Sequence, residues 1–138
     1  MAKPKLLVLA STFPLSIGDG VPSFVLDLSL EQAKVFDVTV LTPFVKGARP
    51  QEVIAGVKVI RYRYWPFAHT LADGAILDNL KANKLNWLQV PFLMFGLFTN
   101  VKKLNPTLIH AHWVIPQGLI AKLASPKAKL LITTHGGD

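Results

Sequence analysis

The sequence predicts an α/β fold, a parallel sheet covered by helices on both faces. Three observations predict it. Residues 5–11 (KLLVLAS) are a continuous apolar run without alternation, the pattern of a parallel strand buried on both faces, while 108–112 (LIHAH) reads as a buried strand ending in a His-x-His-Trp cluster and 129–134 (KLLITT) as a further apolar strand. The run VTVL at 38–41 follows the first of them after a stretch long enough for one helix, which makes a β-α-β unit with a right-handed crossover. Hydrophobic residues make up 51% of the 138 and charged residues 17%. A chain of this length buries roughly 70% of its unfolded surface, so one domain with a proper core is expected.

The elements follow in order. Strand 5–11 leads into TFPLSIGDGVP at 12–22, whose prolines, glycines and aspartate are loop chemistry, with Pro22 suited to a first helical turn. A helix is expected over 23–34, with Phe24, Val25, Leu28 and Val35 packing on the sheet and Asp27 and Glu31 favouring its dipole. After strand 38–41 and a loop at 42–50, residues 53–55 and 57–64 bracket Gly56 as a small strand pair or a bulged strand. Alternation puts Val57, Val59, Arg61 and Arg63 on one face, whose later half is expected to be exposed. Residues 65–74 are irregular, and a helical region runs from Ile76 to Lys103, bent near Pro91 and stopped by Asn105 and Pro106. Strand 108–112, helix 116–124 and strand 129–134 complete the chain. Because it stops at Asp138, just after a strand, residues 1–138 are expected to form a domain incomplete at its C-terminus.

Charge narrows the classes. Fifteen Lys and Arg against eight Asp and Glu give a net charge of +7, which favours anionic partners. The lysines are spread over different elements, so no basic tail appears and no nucleic-acid partner is expected. Arg61 and Arg63, interleaved with Tyr62, Tyr64 and Trp65, suit stacking on single strands, a lipid interface, or simply a half-exposed strand. The absence of cysteine excludes disulfides and thiolate zinc sites and is compatible with the cytoplasm. The apolar run 6–10 is shorter than the ~7 to 15 residues of a signal peptide's apolar region, so export is not expected. Residues 90–98 contain Pro91 and Gly96 and fall short of the ~20 needed to span a bilayer. Segment 87–98 reads either as a core helix or as an apolar lip at a membrane surface, and the basic balance is compatible with peripheral contact there.

Polar clusters stand where strands stop. Gly18, Asp19 and Gly20 precede a helix, where backbone N–H groups can cradle anionic oxygens; an ordinary β-α turn has the same composition. His110 and His112, two apart on a strand, share one face, where they line a site, bind a metal together, or serve as structural histidines. No third ligand follows at close spacing, so no metal site is expected. His135 follows the last strand with its side opened by Gly136 and Gly137, and Asp138 either holds His135 or caps a following helix.

The pieces LLVLASTFP, GDGVPSFV, FDVTVLTP, GVKVIRYRYWP, NPTLIHAHWVIPQGLIA and LLITTHGGD, in this order, resemble the N-terminal, Rossmann-like half of GT-B glycosyltransferases of the GT4 type. They cover nearly the whole chain. The resemblance implies two facing Rossmann-like domains, this one holding the acceptor and a second, absent here, holding most of the nucleotide sugar. It implies retaining transfer to a saccharide or lipid-linked acceptor in bacterial cell-envelope or polysaccharide assembly, with no cofactor besides the donor substrate. It points to Gly18, Asp19 and Gly20 near the donor phosphates or acceptor, and to His135 near the transferred sugar. The family's glutamate pair and diphosphate-binding basic residues belong to the second domain, so this chain alone is not expected to turn over. Many relatives have adjacent glycines where Gly18-Asp19-Gly20 stands, and a Gly-His pair where Phe36-Asp37 stands.

Two rival functions remain at this point. One is a metal-dependent hydrolase using His110, His112 and His135; the other is a non-catalytic module that holds a nucleotide or a partner protein.

Overall fold

The computed structural model describes residues 3–15, 23–67, 71–72 and 76–135. Six strands, β1 (Lys5–Leu9), β2 (Asp37–Pro43), β3 (Gln51–Ile54), β4 (Val57–Tyr62), β5 (Leu108–His112) and β6 (Lys129–Thr133), form one sheet in the order β3-β4-β2-β1-β5-β6. All pairings are parallel except that of β3 with β4. The four α-helices are α1 (Phe24–Gln32), α2 (Ile76–Ala82), α3 (Val90–Leu104) and α4 (Leu119–Ala124). The fold is thus the Rossmann-like α/β arrangement expected of the sequence.

Alternation along β1 sorts the core into two layers. Leu6 and Val8 join Val38, Val40, Val57 and Val59 beneath Val25 and Leu26 of α1. Leu7 and Leu9 face the other way, to Leu93, Leu97 and Val101 of α3 and Ile120 and Ala121 of α4. Fully burying each such side chain contributes about 1.5–3 kcal/mol, which is why strands covered on both faces are mostly apolar.

Several local expectations need correcting. On α1 the buried residues are Val25, Leu26 and Ser29, whereas Phe24, Leu28 and Val35 are exposed. The inward face therefore begins one residue later than expected. The helix also ends at Gln32, so Val35 falls in the turn that follows it. Arg61 is buried, not exposed: its guanidinium pairs with Glu52 at 3.1 Å and donates to the carbonyls of Arg49 and Pro14 at 3.2 and 3.3 Å. Tyr62 and Tyr64 are buried on the α3 side, which removes them from any stacking platform; burial, with Tyr64 alongside, holds the Tyr62 hydroxyl well above its usual pKa.

Pro91 bends nothing, because it opens α3 in the first turn, where its missing N–H has no helical partner to lose. A separate 3-10 turn, Lys84–Gln89, precedes it, capped by Asn83, whose side chain accepts from Leu85 N–H at 3.0 Å. Gly56 and Ala55, with φ of 89° and 49°, make the tight β3–β4 turn. Before α4 the chain makes a wide turn over Val114–Gly118, with a cis Ile115–Pro116 bond, so the helix starts later than residue 116.

Candidate functional site

Strand order places the site. From β1 the chain builds toward β2 on one side and β5 on the other, so the β1/β5 junction is the point where the order reverses. At such a point the loops leaving the strands' carboxyl ends diverge and open a crevice. His112 ends β5 at this junction, and His135 follows β6 beside it.

The histidines form a column on the α1 face. His110 and His112 point the same way from β5, with ring centroids 4.3 Å apart, and the His112 and His135 rings lie nearly parallel, with centroids 5.3 Å apart and 16° between their planes. Gln32, at the end of α1, donates its amide N–H to His110 Nδ1 at 2.9 Å, and His110 Nε2 donates to Thr133 Oγ1 at 2.7 Å. This pair of bonds fits one neutral tautomer, with the proton on Nε2. Higher in the column, His112 Nδ1 lies 3.1 Å from His135 Nε2. One ring must donate and the other accept, so two doubly protonated rings cannot make the contact.

Both strand histidines are held neutral. Burial lowers the pKa of His110, with His135 adding to the effect. Burial, then the positive charges that His110 and His135 would carry, lowers that of His112 to about 4. His112 Nε2 is buried without a hydrogen-bond partner among the described residues, so a second N–H there would have no acceptor.

Aromatic rings frame the exposed end. Phe24, at the start of α1, lies 4.6 Å from the His135 ring, and Trp113 lies 4.8 Å from it. Trp113 has φ 75°, an unusual backbone for a non-glycine residue that costs about 1–3 kcal/mol. It is tied at both ends: its N–H donates to Thr133 O at 2.9 Å, and its carbonyl accepts from Gly118 N–H at 3.2 Å. Beside the lower end of the column, Gln32, Phe36, His110 and Leu131 line an open, mainly apolar groove of about 280 Å³.

Of the residues singled out in the sequence, His110, His112 and His135 are brought together, while Gly18, Asp19, Gly20 and Asp138 lie outside the described residues. Gln32 and Thr133 were not singled out, Phe24 was expected to pack on the sheet, and Trp113 entered only as the end of the HAHW run. Gln32 carried a weak signal, standing two turns along from Val25 on the line that Val25 and Ser29 turn inward. Among the described residues, no group of three or more His, Cys, Asp or Glu side chains is arranged to hold a metal ion.

The sequence model of a family described as glycosyl transferase 4-like matches residues 22–138. No curated protein and no solved structure matches the chain.

Proposed function

The chain belongs to the glycosyl transferase 4-like family, and from that premise we propose that it is the acceptor-side domain of a retaining, nucleotide-sugar-dependent transferase. The acceptor is a saccharide or a lipid-linked saccharide, and the setting is cytoplasmic assembly of envelope or polysaccharide material. The reaction breaks the bond from the anomeric carbon to the nucleoside diphosphate and joins that carbon to an acceptor hydroxyl oxygen, which gives up its proton.

The observation that supports this reading is the His112–His135 pair, 3.1 Å apart at the carboxyl ends of adjacent parallel strands beside the β1/β5 junction. His135 is exposed, and its ring is flanked by Phe24 and Trp113. A sugar suits such a place, since its C–H faces pack on aromatic rings while its hydroxyls bond an imidazole. The buried histidines fix that imidazole's orientation. Gly18, Asp19 and Gly20 lie in the connection from β1 to α1, and Asp138 follows His135 by three residues, so both segments are assigned to phosphate or acceptor contact. The metal-hydrolase alternative needs His110, His112 and His135 together on one ion, and among the described residues no three His, Cys, Asp or Glu side chains are so arranged.

The test is a titration of the chain with UDP- and GDP-sugars and with neutral oligosaccharides, reading the ring signals of His112 and His135 by NMR. Ligand-dependent shifts of His135 are expected. Rings that stay unmoved by every ligand, in a chain that remains folded, would overturn the assignment.

A further inference from the structure

Helix α3 presents two unlike faces. Leu93, Leu97 and Val101 are buried against the sheet, while Phe92 and Phe95 are 51% and 68% exposed. Leu88, one turn earlier, and Thr99 and Lys102, further on, continue the same outward line, because positions 88, 92, 95, 99 and 102 fall three or four apart. The patch widens sideways. The Trp65 ring meets Phe92 at 5.2 Å and Phe67 at 5.9 Å, and Phe67 is 73% exposed. Trp87 and Leu88 extend it on the amino-terminal side. Exposed apolar groups contiguous on this scale mark an interaction surface.

Charge selects the occupant. Exposed Lys81 and Lys84 stand before the patch, and Lys102 and Lys103 close it, with Lys102 Nζ 5.9 Å from the Phe98 ring. From Asn79 to Gly137 the sequence has no Asp or Glu, although lysines recur throughout. A second copy seated face to face would set lysines against lysines, which a self-complementary interface avoids. Aromatic and leucine side chains rimmed by lysines instead match a bilayer whose headgroups are anionic: the apolar groups enter the headgroup boundary and the lysines stay at the phosphates. Among the described residues no helix is long and apolar enough to cross a membrane.

We propose that the exposed face of α3, with Trp65, Phe67 and Trp87, seats this domain on an anionic phospholipid surface, with the helix lying in the plane of the headgroups. Nothing in the inference depends on which sugar is moved, and vesicle binding is read without donor or acceptor, so it and the transferase reading fail separately.

The experiment uses the whole chain with vesicles of phosphatidylcholine, either pure or with about 30 mol % phosphatidylglycerol, followed by sedimentation and by quenching of tryptophan with brominated lipid. Binding is expected to be at least about tenfold stronger to the anionic vesicles and to fall in about 0.5 M salt. The double variant Leu88→Ser/Phe95→Ser should lose binding about tenfold while its circular dichroism stays unchanged. The triple variant Lys84→Gln/Lys102→Gln/Lys103→Gln should lose the preference for anionic lipid. Failure of the folded chain to bind, equal binding to both vesicles, or binding that both variants retain would overturn the proposal. So would a dimer in solution that Phe95→Ser dissolves while vesicles bind nothing, which would identify a second copy as the occupant.

Discussion

His112 Nδ1 and His135 Nε2 meet at 3.1 Å across the ends of two adjacent strands, with His112 buried and His135 exposed. The contact ties the state of an interior ring to that of a ring open to solvent, and its first consequence is a pH dependence.

His112 titrates at about 4 when folded because burial, then His110 and His135, disfavour its charge, against roughly 6.5 in the unfolded chain. Above that value both states are neutral and stability is unaffected. As pH falls, the unfolded chain takes up the proton first, so stability drops progressively between about pH 6.5 and 4, by about 2–3 kcal/mol. Urea denaturation at a series of pH values checks this. His112→Gln should flatten the profile, and a wild-type profile with no fall over that interval would contradict it.

A second expectation concerns Arg61 and Glu52. Glu52→Ala leaves the guanidinium buried with two carbonyl partners among the described residues, and removing one member of such a pair costs about 3 kcal/mol. Because Arg61 also holds Pro14 O, at the root of the β1–α1 connection, Glu52→Ala should raise proteolytic cleavage within residues 12–22. A loss below about 1 kcal/mol in chemical denaturation would show that Arg61 finds other partners.

The layer order was legible in the sequence because strands buried on both faces are runs of apolar residues, as 5–11 is, and because 38–41 follows it at the distance of one helix. Spacing also placed His110 and His112 on one face of one strand. What spacing could not show was rotation and partners. A shift of one residue separates Phe24 and Leu28 from Val25 and Ser29, and both sets have helical periodicity. Arg61 looked like an outward charge because its partners, Glu52, Arg49 and Pro14, come from three other places in the chain. The approach of His135 to His112 is likewise a matter of strand pairing, which local sequence does not encode.

The lower end of the histidine column makes a third prediction. If Gln32 donates to His110 Nδ1, the proton sits on Nε2, and long-range proton–nitrogen NMR should show that tautomer near pH 7. Thr133→Val then strands a buried N–H and should cost about 1–2 kcal/mol. Combined with Gln32→Leu, the loss should be smaller than the sum of the single losses, since both act through one ring.

Gly96 supplies a packing prediction. A Cβ there would lie 3.0 Å from the Tyr62 ring and 3.5 Å from Tyr64 Cβ, so α3 crosses β4 at the distance a bare glycine allows. Tyr62 is buried and cannot swing aside. Gly96→Val should destabilise by about 2 kcal/mol or more. A thermal melt unchanged from wild type would mean the helix shifts outward at little cost.

The proposed role of His135 is separable from stability because its ring is exposed while that of His112 behind it is buried. His135→Ala should change unfolding free energy by no more than about 0.5 kcal/mol. In a protein where this domain is joined to a donor-binding half, the same change should lower kcat for sugar transfer about 100-fold, the size of effect seen when one positioned polar contact to a transition state is removed. His112→Gln provides the contrast: by disturbing the orientation of His135 from behind, it should lower kcat less and alter its pH profile. Unchanged transfer in His135→Ala would remove the exposed histidine from the site and leave the strand-end cluster as a structural clamp on Trp113 and α1.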